Sequence, residues 1–235
     1  MSSNLPMPSP LIERPAKPVA RLLLAHGAGA GMQSDFMQWL STALVAAGIE
    51  VWRFNFPYMQ QQVAEQKKRP PNPMPKLQQA FLQQVQQCPS DLPLFIGGKS
   101  MGGRVASMLA VDKGLPIVGV LAYGYPFHAP GKQQFRTEHF AELARPLLIL
   151  QGERDTFGNT AELADKHWPD VSLNWLTDGD HSFKPRKKSG VTQLQLITEA
   201  AVISRAWIDT QPEVQIKAQT AAQVEAQIEA QHEQR

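Results

Sequence analysis

Three residues of this chain could do chemistry together, and each follows an apolar run. Ser100 sits in Gly98-Lys99-Ser100-Met101-Gly102, which follows the apolar run Leu92-Pro93-Leu94-Phe95-Ile96 and Gly97. Gly-x-Ser-x-Gly between a buried strand and a helix is the pattern of a nucleophile elbow, in which the positions two before and two after the serine come too close for side chains. Downstream, Leu147-Leu148-Ile149-Leu150 leads into Gln151-Gly152-Glu153-Arg154-Asp155, and a later run leads into Asp178-Gly179-Asp180-His181. A serine hydroxyl becomes a nucleophile when a base takes its proton and a third group orients that base. The chain order Ser, acid, His, each at a strand end, is the order used on parallel sheets of this kind. Ser100, Asp155 and His181 are the expected triad, with Glu153 as the reserve acid.

Acyl transfer also needs donors for a developing oxyanion. The backbone N–H of Met101, just after the nucleophile, is one. The loop His26-Gly27-Ala28-Gly29 follows an earlier strand and offers the second, assigned to Ala28 with Gly29 as the alternative. His26 precedes the elbow and would break the chain order. Asp178 and Asp180 are read as ordering the loop that carries His181. Lys99, beside the nucleophile, could meet an anionic acyl group, but solvent or a neighbouring acid is its plainer placement.

Two nucleotide motifs fail on position. A phosphate-binding loop needs a glycine where this chain has Pro93, and a dinucleotide fingerprint needs its third glycine where the chain has Met32. No histidine pair has metal-ligand spacing with supporting acids or cysteines, so no metal is expected, and the chemistry calls for no cofactor.

The elements that must position these residues are six short runs at 20–25, 50–54, 92–96, 117–122, 146–150 and 171–176. Most are continuously apolar, as strands buried on both faces are. Helical spacing lies between them, at 36–47, 76–87, 103–112 and 193–208. Alternating strand and helix predicts an α/β fold, a three-layer sandwich with about six mostly parallel strands. Residues 1–18 hold five prolines and can add at most one edge strand. The expected domain spans 19–210, and 211–235 is a Gln/Ala/Glu-rich tail, partly helical or disordered.

At 235 residues the chain can bury roughly 70–75% of its unfolded surface in one core. A net charge of +2 gives no electrostatic case for nucleic acid. The lone cysteine, Cys88, excludes a disulfide within the chain and is read as structural. Met1 to Pro10 lack the basic and apolar regions of a secretory signal, and no apolar run approaches a membrane span, so a cytoplasmic protein without a membrane partner is expected.

Together these motifs resemble the α/β-hydrolase superfamily, in its small lidless branch near the dienelactone-hydrolase-like enzymes. They are most similar to the family of testis-expressed and non-specific-lethal-complex α/β-hydrolase-like domains. The resemblance rests on 24–32, 54–59, 97–104, 125–132, 136–139 and 179–183. It implies a hydrolase fold with a Ser-Asp-His triad. Only 23 residues, 123–145, stand where cap domains usually enter, so no cap domain is expected. The stretches 56–75 and 125–136 are left to shape the pocket as loops, with Tyr58, His128 and Lys132 as candidate substrate contacts. The expected function is cleavage of a small carboxylic ester or thioester through an acyl-enzyme, with a small-molecule acyl substrate. The alternatives are peptidase or acyltransferase chemistry on the same triad, or a non-catalytic interaction protein that meets a protein partner through its tail.

Overall fold

A computed structural model describes residues 9–132 and 134–233, with backbone alone described over 224–233. The expectation of a proline-rich lead segment therefore falls partly on residues 1–8, outside the described residues.

The core strands are β2 (Ala20–Ala25), β3 (Ile49–Phe54), β4 (Leu94–Lys99), β5 (Gly119–Tyr123), β6 (Leu147–Gly152) and β7 (Val171–Leu176), with a short β1 (Leu11–Glu13) before them. They form one seven-stranded sheet in the order β1-β3-β2-β4-β5-β6-β7. All neighbours are parallel except β1, which runs antiparallel to β3 along the edge. The seventh strand is thus the edge strand that the proline-rich segment had room for. Residues of β2, β3, β4, β5 and β6 are buried throughout, the behaviour of strands covered on both faces.

Helices α1 (Asp35–Ala46) and α6 (Gln193–Asp209) cover one face; α3 (Met74–Val85) and α4 (Met101–Leu109) cover the other. The two resulting cores are separate. One contains Leu22, Leu24, Leu40 and Ile197, the other Leu23, Phe54, Phe81 and Val105. Three buried charged residues interrupt the apolar runs of β2 and β3: Arg21 of β2 donates through Nε to Glu50 of β3 at 2.5 Å, and Arg53 of β3 pairs with Glu13 of β1 at 3.2 Å. Burial of the Arg21 charge is offset by the pair with Glu50, by Asp91 at 2.9 Å, by a hydrogen bond to Pro89 O and by the Trp52 ring at 5.0 Å.

The stretch 56–75, expected as a loop, contains a helix, α2 (Pro57–Glu65). Its polar sequence carries little apolar periodicity, but Pro57 stands at the first helical position, where a fixed φ suits helix entry. Between β5 and β6 the described residues hold one 3₁₀ helix, Glu138–Glu142, and no cap domain. After a four-residue helix, α5 (Thr160–Leu163), the chain finishes with α6 and with α7 (Pro212–Glu233), a helix anchored by Val214, 5% exposed, whereas Ile216 is 62% exposed.

Candidate active site

The serine's position follows from the backbone around it. Ser100 links β4 to α4 with φ 50° and ψ −113°, outside the comfortable regions for a side-chain-bearing residue. The turn is tight enough that a Cβ on Gly98 would lie 2.6 Å from the carbonyl carbon of Gly102, and one on Gly102 would lie 2.6 Å from the oxygen of Ala25. Neither glycine can carry a side chain. The Ser100 N–H donates to Tyr123 O at 3.0 Å, tying the elbow to β5.

Ser100 Oγ lies 2.8 Å from His181 Nε2, and His181 Nδ1 lies 2.8 Å from Asp155 Oδ2. With the Nδ1–H donating its hydrogen bond to the carboxylate, Nε2 is free to accept from the serine hydroxyl. Asp155 is fully buried and accepts from the Phe157 N–H at 2.8 Å and from Gln151 Nε2 at 2.9 Å. Gln151 is itself locked. Its amide nitrogen also reaches Tyr125 O and Gly158 O, and its amide oxygen accepts from the Tyr125 N–H. The three residues expected to act together are therefore brought together.

His181 rides on a loop pinned from both sides. Asp180 Oδ1 accepts from the N–H groups of Ser182 and Lys184 at 2.8 and 2.9 Å. Asp178 accepts from the Arg186 N–H and guanidinium, and the Arg186 charge beside it holds its carboxyl below the usual range. Phe183, fully buried at φ 61°, wedges the loop into the core against Phe36. Glu153 accepts from the Asp178 N–H at 2.7 Å and so serves this loop rather than the imidazole.

Lys99 departs from its expected placement. It is buried, 7% exposed, and its Nζ donates to His181 O at 2.6 Å, with the Phe36 ring 5.3 Å away. Burial pushes its pKa down to about 8. Burial also lowers the pKa of His181, and the Lys99 charge adds to that, against the opposing pull of Asp155. A neutral imidazole is thereby favoured, which is the form a base needs.

The opposite wall is the 26–29 loop. His26 is fully buried; its Nε2 accepts from the Phe56 N–H at 3.1 Å and its Nδ1 faces Gly27 O at 2.6 Å, while burial pushes its pKa down to about 4. Tyr58, a candidate substrate contact, is 1% exposed and donates to Ala28 O at 2.9 Å, so it supports this loop from behind. Ala28, Phe36, Ser100, Phe157 and His181 line an open, mostly apolar cavity of about 330 Å³. Met101 is the first residue of α4, where backbone N–H groups lack intrahelical acceptors.

The other two candidate contacts lie elsewhere. His128 is buried, facing Ala129 O at 3.0 Å and Glu162 at 3.2 Å, and Lys132 lines a different cavity with Arg104 and Arg136. Sequence reasoning passed over Phe157, whose ring lies 4.2 Å from that of His181 at 31°, and Gln151, whose polar amide at the end of an apolar strand was the available signal. Among the described residues no group of three or more His, Cys, Asp or Glu could hold a metal ion, and no helix is long and apolar enough to cross a membrane.

Solved structures share this arrangement of elements. An α/β serine hydrolase homologue from Coxiella burnetii matches with a TM-score of 0.62 at 20% identity, covering 83% of this chain and 90% of that one. A dienelactone hydrolase from Anabaena variabilis matches at 0.64 and 18%, covering 85% and 90%. A serine hydrolase without a lid from Xanthomonas campestris matches at 0.60 and 19%, covering 86% and 88%. No curated protein matches the chain. The model of one family, described as an alpha/beta hydrolase domain, matches residues 18–209, and the chain belongs to that family.

Proposed function

We propose that this protein is a serine hydrolase that cleaves a small carboxylic ester or thioester. The observation that carries this reading is the continuous hydrogen-bonded series Ser100–His181–Asp155 opening onto the apolar cavity. Ser100 Oγ attacks the carbonyl carbon while its proton passes to His181 Nε2, and Asp155 stabilises the imidazolium. The carbonyl oxygen, now negative, is met by the N–H groups of Met101 and Ala28. Collapse of the tetrahedral species breaks the bond to the leaving group, which takes the proton from His181. Water, deprotonated by the same imidazole, then releases the acid and restores Ser100. The comparison with a dienelactone hydrolase and with lidless serine hydrolases supports hydrolytic chemistry. A cavity of about 330 Å³ suits a short acyl chain.

The test is hydrolysis of p-nitrophenyl esters from acetate to octanoate by wild type and Ser100→Ala side by side. Turnover in the wild type, highest for the short chains and lost in the variant, is expected. Equal background rates in both, together with no labelling of Ser100 by a fluorophosphonate probe, would overturn the reading.

A further inference from the structure

A second cavity, of about 430 Å³, lies beside α4 and is lined by Arg104, Lys132, Gln134, Phe135, Arg136 and Glu138. Its cations have no partners of opposite charge among the described residues. Among the described residues, neither guanidinium of Arg104 or Arg136 makes a hydrogen bond or an ion pair, and Arg104 Nε is buried without a hydrogen-bond partner. The two arginines are close enough to oppose each other's charge, and Arg136 is pushed below its usual pKa by burial and by Arg104. His139 sits in the same field; burial and Arg104 push it down to about 4, so at neutral pH it adds no charge. Glu138, exposed at the rim, is the one acid among the lining residues, and among the described residues no ion pair joins it to either arginine.

A protein gains nothing in stability from this arrangement. Like charges repel, a buried donor is unsatisfied, and the surrounding cavity is open enough to admit a ligand. Guanidinium groups present planar forks of donors and match carboxylate and phosphate oxygens two at a time. The pocket is also fixed to the serine site through the backbone: the Arg104 N–H donates to Ser100 O at 3.0 Å, one helical turn along α4, and the Arg136 N–H donates to Phe127 O at 2.7 Å.

We propose that the pocket between α4 and residues 129–132 and 134–138 binds an oxyanion group, phosphate or carboxylate, through the paired guanidiniums of Arg104 and Arg136 with Lys132 at its rim. The anion is either a group on the substrate of the serine site or a free small-molecule ligand. The pocket's occupancy does not depend on turnover, so this inference and the hydrolase reading fail separately.

The experiment is thermal unfolding of the full chain in rising inorganic phosphate, at constant ionic strength set by chloride. For a chain of this size, phosphate at tenfold its dissociation constant should raise the melting temperature by roughly 3–5 °C. The double variant Arg104→Gln/Arg136→Gln should lose that rise while melting, without phosphate, no lower than wild type, because the repulsion is gone. The single variant Arg136→Gln, on a loop, gives the same readout should the double variant not fold. No phosphate-specific rise in the wild type, or an equal rise in the variants, overturns the proposal. Where the rise is present, phosphate inhibition of the hydrolysis of an ester with an anionic acyl chain, mono-p-nitrophenyl glutarate, separates the sources. Competitive inhibition assigns the anion to the substrate; binding without competition assigns a free ligand.

Discussion

The ammonium of Lys99 and the backbone carbonyl oxygen of His181 lie 2.6 Å apart, across 82 residues of sequence. The contact joins the strand that carries Ser100 to the loop that carries His181. It also places a buried positive charge near the imidazole, which lowers the pKa of His181. Lys99→Met keeps the length of the side chain and removes both the donor and the charge. Without the charge the imidazole holds its proton more tightly, so the acid limb of kcat/KM should move to higher pH. Looser positioning should also lower kcat/KM at the optimum by roughly 10- to 100-fold. A pH–rate profile checks this, and an acid limb that stays in place would sink the electrostatic part.

Asp155 is buried and meets three donors: His181, Gln151 and the Phe157 N–H. Asp155→Asn keeps the shape but replaces the acceptor facing His181 Nδ1 with a group that can turn a donor toward it, favouring the other tautomer. The expected loss in kcat is about 10⁴, against up to about 10⁶ for Ser100→Ala. Steady-state kinetics on the best p-nitrophenyl ester decides; a loss below tenfold for Asp155→Asn would remove this residue from the mechanism.

The residues that meet at the site were legible because each stands directly after an apolar strand, and strands buried on both faces are the plainest signal in the chain. The Gly98–Gly102 approach was legible for a related reason: only a turn needs so many small residues around one serine. Lys99 was not. A lysine beside a glycine turn reads as solvated, and what encloses it is the 181–183 loop, which local sequence does not show. Helix α2 was hidden by a run of glutamines with no apolar stripe, and β1 by its three-residue length among prolines. Tyr58 read as a pocket residue because its loop was long; its hydroxyl is instead turned inward to the Gly27 and Ala28 carbonyls.

Two glycines near the site should respond in opposite ways to alanine. A Cβ on Gly97 would lie 2.2 Å from Leu121 O, backbone of the neighbouring strand, so β4 and β5 would have to separate. Gly97→Ala should cost about 3 kcal/mol or more and yield little folded protein. A Cβ on Gly29 would meet nothing within 4 Å, so Gly29→Ala should stay within about 0.5 kcal/mol of wild type. Urea unfolding of the two variants checks the pair, and similar midpoints for both would contradict the packing described for β4.

Stability should fall with acid well before the carboxylates titrate. His26 and His139 are both pushed down to about 4, each chiefly by burial. In the unfolded chain both titrate near 6.5. Between these values the unfolded state binds two protons that the folded state refuses, so stability is complete above about pH 6.5 and declines as the pH drops toward 4. Each such proton is worth about 1.4 kcal/mol per pH unit, and the loss between pH 6 and pH 5 should be roughly 2–3 kcal/mol. His139 meets Ser107 Oγ at 2.8 Å, a contact that the amide of His139→Gln can replace without a titrating group. That variant should lose about half of the pH dependence in this window while keeping most of its stability at pH 7. Urea melts at pH 7, 6 and 5 provide the slopes; an unchanged slope in His139→Gln would mean that the imidazole already carries a proton in the folded protein.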